Sequence, residues 1–170
     1  PYQISSPLLE RIQREKMHLS VIIFLVQEEF AERMTMQAGP MDRGPLGISL
    51  WLDFDVEMGR RVSPSCFIPQ PRVHSRLVRL LPVNRFESEK GEINRRLLRQ
   101  IVSHCFADRR KKLRNLLKRP PKRLARIPGW HRDRWNTALT HLSNHSLMEE
   151  RPEMLKPEDW VMICELISVV

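Results

Sequence analysis

An α+β fold is predicted by three observations on the 170-residue sequence. Strand-like apolar segments are confined to the first half, apolar residues at helical spacing fill the second, and the two halves differ sharply in charge. The division at Pro82 and Val83 gives an α/β portion at 1–83 and a basic, all-helical subdomain at 84–170. A chain of this length buries about 70% of its unfolded surface, enough for a core of its own.

Ser5 or Ser6 is a good N-cap and Pro7 suits a first helical turn, so a helix opens there and runs to about Lys16. Residues 19–26 form a β-branched run, apolar except at Ser20, as expected of a central strand buried on both faces. Residues 27–34 are helical by propensity and end before Gly39 and Pro40. A polar Gly/Pro stretch occupies 39–47. Residues 48–57 alternate, with Ile48, Leu50, Leu52, Phe54 and Val56 on one face, which predicts a strand; 73–81 predicts another. In the second half, Ile93, Leu97, Ile101, Val102 and Cys105 make a helical stripe. Leu113, Leu116 and Leu117 anchor a short helix that must stop at Pro120 and Pro121. Residues 124–128 read as loop, and 133–142 and 157–167 as two further helices.

Residues 1–83 carry 10 basic and 9 acidic side chains, and residues 84–170 carry 19 and 11. Within 95–134 stand 15 basic residues and two acids, a local charge of +13. So concentrated a field suits phosphate binding, in which each neutralised phosphate releases counterions. The candidates are Arg109, Arg110, Lys111, Lys112, Arg114, Lys118, Arg119, Lys122, Arg123 and Arg126, with no acid among them. Trp130 and Trp135 flank Arg132 and Arg134 and are expected to anchor the helical core rather than to stack on bases.

Catalytic signatures are few. The six histidines show no metal-ligand spacing, and Cys66, Cys105 and Cys164 lie too far apart for a CxxC pair, which points to a reducing, cytoplasmic setting. No nucleophile elbow or P-loop occurs, and the six glycines form no GxGxxG turn of the kind a nucleotide site needs after its first strand. No cofactor, metal or small-molecule substrate is expected. The longest apolar run is far shorter than the roughly 20 residues that span a bilayer, so no membrane partner is expected either.

Five motifs nevertheless resemble one family. Gln27-Glu28-Glu29-Phe30-Ala31-Glu32-Arg33-Met34 is similar to the Q-x-E-x-A-E-R-[ML] helix of the KsgA-type small-subunit rRNA adenine dimethyltransferases, with archaeal members most alike. Asp53-Phe54-Asp55-Val56-Glu57 resembles that family's strand ending in D-V-E. Phe67-Ile68-Pro69-Gln70-Pro71-Arg72-Val73-His74-Ser75 matches F-x-P-x-P-x-V-x-S at every fixed position. Phe106 to Leu117 fits F-x-x-R-[RN]-K-x-[LV]-R-x-x-L, and Arg151 to Trp160 fits R-P-E-x-L-x-x-x-D-[FW]. The resemblance implies the second half of a Rossmann-like methyltransferase sheet followed by an rRNA-binding helical subdomain. It places Tyr2, Phe67, Pro69 and Pro71 in the loop beside a flipped target adenine, here expected as a vestigial site.

The chain also departs from the family. Of the catalytic N-[LI]-[PA]-[YF] motif only the last two positions are represented, by Pro1 and Tyr2, and the glycine-rich methyl-donor loop has no counterpart. Where the family reads D-Y-G-R-L-S-V, this chain has Asp42-Arg43-Gly44-Pro45-Leu46-Gly47-Ile48. These departures lead to the expectation of a genuinely short, non-catalytic relative. It would bind small-subunit rRNA near the 3′-terminal hairpin, among neighbouring ribosomal proteins, as a ribosomal component or assembly factor in the cytoplasm. The alternative is a fragment of an active S-adenosylmethionine-dependent rRNA adenine dimethyltransferase.

Overall fold

A computed structural model describes residues 4–15, 19–37, 39–83, 85 and 93–169. Tyr2 lies outside the described residues. Helix α1 (Ser5–Glu15) leads to strand β1 (Ile22–Gln27), helix α2 (Glu28–Thr35), helix α3 (Pro45–Trp51) and strands β2 (Phe54–Val62) and β3 (Ser75–Pro82). Helices α4 (Arg95–Phe106), α5 (Leu113–Leu116), α6 (Arg132–Leu142) and α7 (Pro157–Ser168) make up the second half. The fold is α+β, as the pattern of its segments predicts.

The three strands form one antiparallel sheet in the order β1-β3-β2. Strand β1 is therefore an edge of the described sheet, not the doubly covered central strand expected from its apolar run. Ile22 and Val26 are buried beneath α1 and α2, while Ile23 is 65% and Leu25 42% exposed on the opposite face. A continuous apolar run reports that both faces of a strand favour cover, and the described residues cover one.

Residues 48–57 also differ from the expected strand. Their alternation breaks at Trp51: Ile48 and Leu50 lie in α3, and the strand begins only at Phe54. Gly44 as N-cap and Pro45 at the first helical position open the helix, where proline's fixed φ and missing N–H cost nothing. Ile48, Leu50, Leu52 and Phe54 are all buried, but the helix turns Ile48 and Leu50 to opposite sides: Ile48 and Leu52 enter the core of the helical half, Leu50 and Phe54 the core beneath the sheet. Gly47 is required where α3 meets α2, because a Cβ there would lie 2.7 Å from the Arg33 carbonyl oxygen.

Two apolar cores result. One, beneath the sheet, joins Leu9 and Ile12 of α1 to Val26, Ala31, Met34, Val78 and Leu80. The other fills the helical half around Trp135 and Trp160, and also takes in Ile48 and Leu52. A polar node ties them together. The Asp53 carboxylate accepts from Gln13 of α1 at 2.7 Å and from Arg99 of α4 at 3.1 Å, and pairs with Arg95. Arg99 also donates to the Ser49 hydroxyl at 2.9 Å. Burial lowers the pKa of both guanidiniums, so a carboxylate at this point offsets what their desolvation costs.

Residues 121–130, expected as loop around 124–128, are ordered by a different period. Leu124 N–H donates to the Pro121 carbonyl, Ile127 to Leu124, and Trp130 to Ile127, a run of three-residue turns. Residues i and i+3 eclipse in such geometry. Pro121, Leu124, Ile127 and Trp130 are all buried, and the residues between them stay exposed.

Candidate nucleic-acid interface

The same period displays the charge. Nine of the ten candidate cations between Arg109 and Arg126 are exposed, and Lys112 is half-buried. They stand on one continuous path, from the end of α4 through α5 and the three-residue turns. Four of the ten meet acids: three meet acids brought in from elsewhere in the chain, and Lys111 meets its neighbour Asp108. Arg114 and Lys112 contact the Glu149 carboxylate at 2.6 and 2.8 Å, Lys111 contacts Asp108 at 2.8 Å, and Arg109 Nε lies 3.7 Å from Glu153. Hydrogen bonding from Lys112 and the charge of Arg114 hold Glu149 below the usual carboxylate range. Among the described residues Arg110, Lys118, Arg119, Lys122, Arg123 and Arg126 carry no ion pair. The stretch is therefore less self-repelling than the sequence alone implies, and about half of its charge stays open to a partner.

A second feature lies at the far end of the sheet. Phe67, Ile68, Pro69 and Pro71 face Ile4 and Leu8 of the α1 segment and Phe24 and Leu25 of β1 across an open cleft of about 540 Å³. Phe67 and Pro71 are half-buried, and Ile68 and Pro69 exposed. Ser63 caps the Pro64–Cys66 turn that leads into this loop, its hydroxyl accepting from the Ser65 N–H. The loop that the F-x-P-x-P pattern singles out and the start of the chain, distant in sequence, thus share one apolar wall.

Trp130 and Trp135 are core anchors, as expected. Trp135 is fully buried, its indole N–H donating to the Leu117 carbonyl at 3.0 Å, and Trp130 meets it edge-on at 6.4 Å. Arg134 stacks over Trp130 at 4.5 Å. Burial pushes the thiols of Cys105 and Cys164 up, the latter to about 12, so neither is a thiolate nucleophile near neutral pH. Among the described residues no cluster of three His, Cys, Asp or Glu side chains could hold a metal, and no helix is long and apolar enough to cross a membrane.

The family model for ribosomal RNA adenine dimethylase matches residues 1–127. The chain belongs to the ribosomal RNA adenine dimethylase family.

Within this family, ribosomal RNA small subunit methyltransferase A of Rubrobacter xylanophilus is 35% identical over 168 residues, 99% of this chain and 58% of that protein. Its namesake in Nitrosospira multiformis is 38% identical over 118 residues, covering 69% of this chain and 45% of its own length. Among solved structures, a dimethyladenosine transferase from Plasmodium falciparum superposes with a TM-score of 0.75 at 26% identity, over 96% of this chain and 62% of that one. The 23S rRNA methyltransferase ErmE has the same fold, with a TM-score of 0.61 over 98% of this chain and 62% of its own. The chain thus spans about half the length of the curated dimethylase relatives it matches. These relatives are named as methyltransferases, which overturns the expectation of a non-enzyme: motifs missing from this chain say less about its class than a match that runs through an enzyme family.

Proposed function

We propose that this chain is the RNA-facing portion of a small-subunit rRNA adenine dimethyltransferase. It docks on rRNA near the 3′-terminal hairpin through residues 109–126 and receives the target adenine at the Phe67 cleft. The observation that carries this reading is the joint placement of the F-x-P-x-P loop and the start of α1 around one open apolar cleft in a chain of this family. An adenine swung out of its stack needs an apolar wall with an aromatic edge, and Phe67 with Phe24, Pro69 and Pro71 offers that surface. Division of labour follows the two parts, 1–83 for the base and 84–170 for the backbone. Ribosomal proteins beside that hairpin are the expected neighbours, on the cytoplasmic small subunit.

Methyl transfer takes an electrophilic methyl from S-adenosylmethionine, and the described residues do not fit a site for it. No glycine-rich turn follows a strand among them, and the two glycines nearest the sheet are committed to packing, Gly47 against α2 and Gly59 against Leu77, whose carbonyl oxygen a Cβ at Gly59 would meet at 3.1 Å. We assign donor binding to the part of the relatives that this chain does not span. The uncovered face and edge of β1, with Val21, Ile23 and Leu25 exposed, are where such a part would join the sheet.

The test uses a 3′-terminal hairpin RNA with 2-aminopurine at the target adenine. Binding by the chain is expected to raise fluorescence as the base unstacks, and Phe67→Ala to abolish the rise while affinity changes less than about threefold, since backbone contacts dominate affinity. An equal rise with Phe67→Ala would refute the assignment of the cleft.

A further inference from the structure

A second cleft, of about 550 Å³, opens between the two cores, on the helical side of the sheet subdomain. Its walls come from Arg33 of α2, Met41 and Arg43 of the turn after it, Leu46 of α3, and Phe106 and Arg109 at the end of α4. Three guanidiniums therefore line it together with one carboxylate, that of Asp42. Two of them are held in place. Arg33 stacks on the Phe30 ring at 5.5 Å, and Arg43 Nη1 donates to the Met154 carbonyl at 2.6 Å and the Glu153 carbonyl at 3.4 Å. That bond fixes the turn bearing Met41, whose side chain is 67% exposed at the mouth.

Guanidiniums beside an apolar, polarisable wall are the pairing an unpaired nucleotide needs: guanidinium for the phosphate, thioether and aliphatic surface for the base. Paired A-form RNA buries its bases and could use only the guanidiniums. Arg109 is at once a wall of this cleft and the first residue of the exposed basic path, so the two surfaces are continuous. We propose that the cleft holds an unpaired rRNA nucleotide adjoining the docked backbone, its phosphate on Arg33 and Arg109 and its base against Met41 and Leu46. This rests on the reading of the chain as an rRNA-binding protein and adds a second point of grip, which would fix the register of the RNA relative to the Phe67 cleft.

Ser103 lines the cleft and is exposed, which gives the test its probe. In a Cys66→Ser background the remaining thiols, Cys105 and Cys164, are buried, so Ser103→Cys can carry a photo-crosslinker alone. With the full chain and a 3′-terminal hairpin RNA bearing single-stranded flanks, the expected crosslink is to one unpaired nucleotide. Arg33→Ala, at an exposed position, is expected to remove that crosslink, weaken binding about three- to tenfold, and make the log K against log salt slope shallower by about 0.7. A crosslink to paired nucleotides overturns the proposal. So does no crosslink from Ser103→Cys while the same label at Lys118→Cys reacts, a result that leaves the RNA-docking reading standing. Absence of crosslinks from both positions removes both.

Discussion

Changing Arg110, Lys118, Lys122 and Arg123 together to Ala is expected to lower rRNA affinity about a thousandfold near 0.15 M salt. Each phosphate contact contributes through counterion release, close to fivefold at that concentration, and four losses multiply. The four side chains are exposed, and among the described residues none has an ion pair to lose. Stability should change by less than about 0.5 kcal/mol, or rise slightly as self-repulsion falls. Filter binding with a 3′-terminal hairpin RNA, beside a melting curve of each protein, separates the two effects. A drop of less than tenfold with an unaltered melting curve would remove this path from the docking surface.

The second large effect is on the scaffold that displays those charges. Trp135→Ala is expected to cost about 3–5 kcal/mol, because a fully buried indole leaves a cavity that the surrounding helices refill only in part. It also leaves the Leu117 carbonyl without the indole N–H, at the point where α5 runs into the exposed basic turns. Trp135→Phe keeps most of the apolar contact and should cost roughly half as much. Urea unfolding followed by circular dichroism measures both. RNA binding by Trp135→Ala should fall only in proportion to the unfolded fraction, since the side chain itself never reaches the surface. A loss of less than about 1 kcal/mol would mean that the helical half does not depend on the Trp130–Trp135 contact.

How far each segment is legible from sequence depends on the physical signal it carries. Helices α4 and α7 are legible because their apolar spacing is long, and Pro157 marks the first turn of α7; α4 begins only at Arg95, after Asn94 accepts from the Leu97 N–H, so Ile93 of the expected stripe lies ahead of the helix. Helix α3 is not, because seven residues give barely two turns, too few for a 3.6 period to separate from a period of two. The signal that decides it is local chemistry, Gly44 followed by Pro45. Residues 121–130 carry a three-residue period that neither template matches, though Pro121, Leu124, Ile127 and Trp130 stand in plain view. For the site, the F-x-P-x-P stretch is legible from side-chain type alone. Glu149 and Glu153 are hidden as partners of the basic segment, because pairing across 35 or more residues depends on how the helical half packs. The cleft at Arg33 and Arg43 is hidden for the same reason, since it exists only where α2, α3 and α4 converge.

Six cations on one ordered path, without ion pairs among the described residues, are expected to grip an RNA backbone. That grip is tested most directly by titrating salt against the affinity of the unaltered chain for the 3′-terminal hairpin. About six phosphates neutralised give a slope of log K against log salt between about −4 and −5. A slope near zero, at any affinity, would mean that these cations do not hold the RNA backbone.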